Sequence, residues 1–262
     1  MEMDLEKLEL AMQQTSEQQY SLIEDGYVIY RNFFDAAYVD LLREKAQSVF
    51  KLQFNRYGYD SNDFDNNMFR LFKEHEDVFI NCGKTIQQGL VELYKLPLEE
   101  KLLNTMVDLG LEFPNICTRP VLNFNHPSLA KELVYYKTPL HQDWSSMQSS
   151  MDSLVVWVPL IDVSPKNGSV KLYPKTHKLG VLPFDKDSGF AKVNIDKNLY
   201  QPIQPTLSRG DIVIFSTLLV HESGDIENGE IRWSCHYRYN NLKNSEFINR
   251  GYPNPYVYKP VF

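Results

Sequence analysis

Cysteine is scarce in this chain. Cys82, Cys117 and Cys235 are its only three, they lie far apart, and no two form a C-x-x-C pair. That argues against a disulfide framework and against a thiolate-built zinc or iron–sulfur site, and fits reduced thiols in a cytoplasmic compartment. Long apolar runs are also missing. No stretch approaches the ~18 residues needed to cross a bilayer, so a membrane is not an expected partner. The opening MEMDLEKLEL is acidic and amphipathic, without the basic start and apolar centre of a signal peptide. Basic charge is short as well: the formal net charge is −7, the isoelectric point is near 5.4, and no Lys/Arg stripe could neutralise a phosphate backbone. Nucleic acid is therefore excluded as an expected partner. Internal repeats, low-complexity tracts and Gly/Ser linkers are absent too, which leaves a single domain over residues 1–262 as the reading.

With 43% hydrophobic residues the chain can bury a full core unaided, and its 13% aromatic content suits a ring-lined pocket. Residues 1–114 read as a mainly helical support region. Residues 4–19 are charged and helix-prone, a helical pattern opens at Phe34-Asp35-Ala36-Ala37, and apolar residues recur at helical spacing from 67 to 94. Leu96-Pro97-Leu98 restarts a further helix, and Gly26–Tyr30 reads as a short strand. From about Pro114 the character changes to β-branched and aromatic runs separated by turn residues: 120–124, 133–136, 153–158, 169–173, 211–215 and 231–239. Asn167-Gly168 and Arg209-Gly210-Asp211 are the clearest turns. Residues 115–245 thus form a β-sandwich or barrel with helices outside it, followed by a Tyr/Pro tail over 246–262.

The motif H-x-D occurs twice, at His75-Glu76-Asp77 and at His141-Gln142-Asp143. With 6 His and 34 acidic residues, chance supplies about one H-x-acid match, so local context must decide. His75 and Asp77 fall in a helical pattern, where residues two apart diverge by about 200° and cannot close on one ion. They are expected on solvated helix surface. His141 and Asp143 follow Thr138-Pro139, which favours extended chain, and there residues two apart share a face. An imidazole and a carboxylate suit iron(II), manganese or zinc. His221, ending a strand-like run, is the best candidate for a third ligand, with His126, His177 and His236 competing.

Several ordered motifs carry a resemblance: H-Q-D-W (141–144), V-V-W-V-P-L (155–160), N-G-S-V (167–170), Y-P-K-T-H (173–177), G-D-I-V-I-F (210–215), H-E-S-G (221–224) and I-R-W-S (231–234). Together they resemble the phytanoyl-CoA dioxygenase family of iron(II)- and 2-oxoglutarate-dependent oxygenases, over roughly residues 120–241. The resemblance implies a double-stranded β-helix, a jelly-roll or cupin-like fold of two antiparallel sheets with N-terminal helices packed outside. It implies iron(II) held by His141, Asp143 and His221, with 2-oxoglutarate and dioxygen as co-substrates. It also implies Arg232 and Ser223 on the distal carboxylate of 2-oxoglutarate and Trp157 packed beside it. One departure is Pro174-Lys175-Thr176-His177, where the family commonly has Pro-Gly-Ser-His.

Three ligands on one face of an octahedral ion leave room for a bidentate 2-oxo acid and dioxygen, and a guanidinium suits the far carboxylate of that acid. Residues 231–240 alternate accordingly. Ile231, Trp233, Cys235, Tyr237 and Tyr239 share one face, and Arg232, Ser234, His236, Arg238 and Asn240 share the other. The expected activity is oxidation, foremost hydroxylation, of a small polar molecule, sugar-like or amino-acid-like, with release of succinate and carbon dioxide. Arg119, Asn123, Trp144 and Gln148 are candidates to face it. A non-redox metalloenzyme on the same barrel and a binding protein without turnover are the alternatives. The first has no use for Arg232 facing the metal, and the intact triad weighs against the second.

Overall fold

A computed structural model of the chain describes residues 21–60, 62–129, 137–185, 191–227 and 229–255. The expected helix at 4–19, the expected strand at 133–136 and the end of the tail lie outside the described residues. After a first strand β1 (Tyr27–Tyr30), Asp35 caps α1 (Ala36–Arg56) by accepting the Ala37 amide at 2.8 Å. The helical stretch from 67 to 94 is three helices rather than one: α2 (Phe64–Glu74), α3 (Glu76–Gly89) and α4 (Val91–Lys95). The breaks fall at His75, with φ −144°, and at Leu90, with ψ 112°. His75 is thus a junction residue whose ring stacks on Tyr57 with centroids 3.8 Å apart, and not part of a solvated helical face. The expected helix after Pro97 is α5 (Glu100–Asp108).

The second half supplies β2 (Pro114–Ile116), β3 (Val121–Asn125), the short α6 (Trp144–Met147), β4 (Leu154–Pro159), β5 (Lys171–Leu172), β6 (Phe184–Asp185), β7 (Lys192–Val193), β8 (Ile212–Ser216), β9 (His221–Glu222), β10 (Arg232–Asn241) and α7 (Ser245–Asn249). One antiparallel sheet runs β1-β8-β4-β10-β2, with β3 pairing the other stretch of β10. A second, more fragmentary sheet is assembled from β5-β9 and β6-β7, joined through bridges of His141 to Lys192 and to His221. The run 169–173 contributes only two strand residues because Gly168, at φ +84°, is still turning and Ser169 hydrogen-bonds across to Pro205.

Alternation along β4 shows how the layers stack. Leu154, Val156 and Val158 join the core shared with the helices, where they meet Leu42, Phe50 and Ile86. Val155 and Trp157 point the other way, into a core between the sheets with Leu172, Val213 and Phe215. All six residues of β4 are buried, as a strand covered on both faces must be. Two facing antiparallel sheets with helices on the outer face of one are the expected double-stranded β-helix.

Candidate metal centre and its cavity

His141, Asp143 and His221 each offer one ligand atom, and the three atoms lie within 4.8 Å of one another. Strand pairing brings them together across 80 residues of chain. His141 and His221 exchange both backbone hydrogen bonds at 3.0 Å, the closely bonded pair of an antiparallel ladder, so their side chains leave the same face directly opposite each other. Asp143, two residues on from His141, returns to that face. Its Oδ1 lies 3.3 Å from His141 Nε2 and 4.0 Å from His221 Nε2. Ligands bonding one ion at about 2.1 Å lie about 3 Å apart, so a small closure of this triangle is all a divalent ion requires.

The atoms behind these ligands orient them. His141 Nδ1 lies 2.8 Å from the Pro139 carbonyl and His221 Nδ1 lies 2.9 Å from the Leu219 carbonyl. A carbonyl only accepts, so each Nδ1 donates its proton and each Nε2 keeps a lone pair for the ion. Arg238 completes the set. Its Nε donates to Asp143 Oδ2 at 2.7 Å, leaving Oδ1 toward the two imidazoles. Gln142 points to the opposite side and is fully buried, donating to the carbonyls of Gly180 and Leu218 and accepting the Leu182 amide. That middle residue nails the ligand-bearing segment to the second sheet.

Electrostatics favour ligation. Burial, reinforced by neighbouring His141, pushes His221 down to about 3, so it is a neutral imidazole at physiological pH. Burial pushes the Asp143 carboxyl up, but the Arg238 charge and the hydrogen bond with His141 outweigh it and hold the carboxyl well below its ordinary range. A neutral imidazole and an ionised carboxylate are the forms that bind a hard divalent ion.

The three ligands open onto a cavity of about 500 Å³. Arg232, Ser223 and Trp157 all line it. Arg232 is buried at the start of β10; its guanidinium donates to the Gly168 carbonyl at 2.7 Å and to the Asn125 side chain. Ser223 and Thr138 exchange contacts, the Ser223 hydroxyl accepting the Thr138 amide at 3.1 Å. The alternation read from 231–240 is the one observed: Trp233, Cys235 and Tyr237 face the helices, whereas Arg232, His236 and Arg238 face the cavity. Of the competing histidines, His236 lines the cavity beside Asn123, with 3.2 Å between its Nε2 and the Asn123 amide nitrogen. His126 instead caps Ser128 beside the Phe69 ring, and His177 contacts the Ile23 carbonyl. Arg119 and Asn123 are among the described lining residues; Trp144 and Gln148 are not. Arg238 is the site residue that sequence reasoning did not single out, although it stood in the polar row of β10.

Residues 22–234 match the Phytanoyl-CoA dioxygenase (PhyH) family. The chain belongs to that family. Its members are iron(II)- and 2-oxoglutarate-dependent oxygenases. The rat peroxisomal phytanoyl-CoA dioxygenase (Rattus norvegicus) is 30% identical over 135 residues, and the human protein (Homo sapiens) is 28% identical over 138. Each match spans 47% of this chain and about two fifths of the relative, 40% of its length. Among solved structures, the epimerase SnoN in complex with Fe3+, alpha ketoglutarate and nogalamycin RO superposes with a TM-score of 0.60 at 16% identity, covering 87% of this chain and 83% of SnoN. EctD from S. alaskensis with 2-oxoglutarate and 5-hydroxyectoine gives 0.59 at 17% identity, covering 87% and 77%. These likenesses show the fold, a jelly roll.

Proposed function

We propose that this chain is an iron(II)- and 2-oxoglutarate-dependent dioxygenase that hydroxylates a small polar organic molecule, sugar-like or amino-acid-like, with residues 1–262 acting as one catalytic unit. His141, Asp143 and His221 hold the iron. Arg232 and Ser223 bind the distal carboxylate of 2-oxoglutarate, and Trp157 forms the wall beside it. When bound, iron, 2-oxoglutarate and dioxygen supply the oxidising power, the 2-oxo acid leaving as succinate and carbon dioxide as substrate is oxidised.

The observation that carries this reading is the shared cavity. Three converging ligand atoms and a buried guanidinium open into one space, and the guanidinium sits six residues along the strand from the arginine that orients the metal-binding carboxylate. A metalloenzyme that needs no 2-oxo acid has no use for a cation buried at that position. The chain's own groups do the positioning: backbone carbonyls aim the imidazoles, Arg238 directs one carboxylate oxygen, and Gly168 and Asn125 hold Arg232. Three free thiols, Cys82 and Cys235 buried, suit a cytoplasmic setting, and no described helix is long and apolar enough to cross a membrane.

A screen of candidate metabolites with iron(II) and 2-oxoglutarate tests the reading. The expected result is succinate whose formation depends on one substrate class, with a product carrying one added oxygen. A product that has lost two hydrogens, or one of unchanged mass, replaces hydroxylation by ring closure, desaturation or epimerisation. No succinate from any candidate, together with tightly held zinc, contradicts the oxygenase assignment.

A further inference from the structure

Charge inside the cavity runs against charge on the molecule. The chain carries a formal −7, yet the cavity wall presents four cationic side chains, Lys84, Arg119, Arg232 and Arg238, against two carboxylates, Asp143 and Glu222. Both carboxylates are taken: Asp143 by Arg238, and Glu222 by the Tyr173 hydroxyl at 2.6 Å and Lys197. In the function proposed above, Arg232 is taken by 2-oxoglutarate. Lys84 and Arg119 are left over. Both are exposed, and among the described residues neither has an ion-pair or hydrogen-bond partner.

They also belong to one wall. Lys84 lies one helical turn before Gln87 on α3, and Gln87 donates to the Leu122 carbonyl in β3 at 3.3 Å. Gly83, beside Lys84, lets α3 lie against β3: a Cβ there would stand 3.1 Å from the Phe124 ring. Arg119 enters the same strand from its N-terminal side, three residues before Leu122, so it reaches the same stretch of wall from about 10 Å along an extended chain. Phe124 and Leu129 line the same cavity.

We propose that the primary substrate is a small organic anion whose acid group, a carboxylate or a phosphate, is recognised by Lys84 and Arg119. This rests on the oxygenase reading for the identity of the site and deepens it. An amino-acid-like molecule brings such a group, and so does a phosphorylated sugar-like one. In a negatively charged protein the anion is drawn to this cationic stretch of cavity wall, and the two cations fix its headgroup while the rest of the molecule extends toward the metal ligands. Arg119 can grip either headgroup with two parallel hydrogen bonds, and Lys84 adds a flexible point charge.

Calorimetric titration of the full chain with hexanoate, hexyl phosphate and 1-hexanol tests this, run at low salt on metal-free protein and again on protein loaded anaerobically with iron(II) and saturating 2-oxoglutarate. One of the two anions should bind at least about tenfold more tightly than hexanol in both states, and which one does so names the headgroup. Lys84→Gln and Arg119→Gln should each weaken that anion about 3- to 10-fold, and together erase its advantage over hexanol. Hexanol affinity, equal in wild type and variants, reports an intact cavity. Equal binding of all three probes by the wild type overturns the proposal. So does an anion preference that survives the double substitution, or one removed by Arg232→Leu and not by the double substitution. Failure of the wild type to hold iron and 2-oxoglutarate would strike the oxygenase reading instead, and the metal-free titration would still decide this one.

Discussion

Arg238 does for Asp143 what two backbone carbonyls do for the histidines: it occupies the outer atom so that the inner one faces the ion. Removing such a partner commonly costs 10- to 100-fold in metal affinity. Arg238→Leu should therefore bind iron(II) about 10- to 100-fold more weakly while keeping all three ligands, as anaerobic titration would read; unchanged affinity would deny Arg238 its positioning role. Lys175 tells a different story. It holds the left-handed conformation, φ 68°, at the place in Pro-Lys-Thr-His where the family commonly has glycine, and its side chain is exposed. The turn survives because Thr176 bonds to both the Tyr173 carbonyl and the Val220 amide, and the Lys175 amide reaches the Asp25 carbonyl. Left-handed geometry costs a side-chain-bearing residue about 1–2 kcal/mol, partly offset by the freer unfolded chain of a glycine. Lys175→Gly should stabilise by about 0.5–1 kcal/mol, seen as a melting temperature raised by about 1–4 °C. A lower melting temperature would show that the lysine side chain contributes more than its backbone strain costs.

Elements hold the site through their turns. Gly168 offers its carbonyl to Arg232 from a φ of +84°, and a Cβ there would meet Ile226 at 2.8 Å and Arg232 itself at 3.3 Å. Gly224 packs so closely that a Cβ would stand on the Ser169 carbonyl, which is why N-G-S-V and H-E-S-G interlock. Asp211 clamps the other end of the sheet, accepting the amides of Asn32 at 2.8 Å and Ser208 at 2.9 Å and the Arg31 guanidinium at 2.7 Å. Burial pushes its carboxyl up, but these donors win and hold it below the ordinary 3.8. A folded-state value below the unfolded one means stabilisation present above the ordinary carboxylate range and lost as pH falls through the lower folded value. Asp211→Asn should cost about 1–3 kcal/mol near pH 7, and its gap from wild type in urea melts should close below about pH 3.8. A gap that persists in acid would contradict the charged clamp.

Runs of β-branched and aromatic residues between turn signals located β4, β8 and β10 within a residue or two, and period-two alternation gave the correct faces of β10. The helix breaks at His75 and Leu90 were not legible, because His75 carries no breaker signal and its ring turns aside to meet Tyr57, about twenty residues away. His141 and Asp143 could be paired from local spacing. The end of a strand-like run made His221 the best third candidate, but only the ordered motifs set it apart from His126, His177 and His236, since its nearness arises from strand pairing 80 residues away. Arg238 stood in the right row, but its role depended on the register that brings it to Asp143.

Across the whole molecule, β10 ties the helical half to the cavity. Its one face packs Trp233, Cys235 and Tyr237 against the helices, and its other face presents Arg232, His236 and Arg238 to the cavity. The helical half therefore braces the strand that carries Arg232 and Arg238, and a rigid strand is a better mount for a site's side chains than a loop. If this mount serves a 2-oxo acid at a metal, as proposed, Arg232 is the residue that must grip it. The measurement is 2-oxoglutarate affinity of the anaerobic iron(II) protein, wild type against Arg232→Leu, with iron content and melting temperature recorded for both. Retained iron and an affinity lowered about 30-fold or more are expected, equivalent to about 2–5 kcal/mol for leaving a partly desolvated carboxylate unpaired. A folded, iron-loaded Arg232→Leu protein that binds 2-oxoglutarate as tightly as wild type would contradict it.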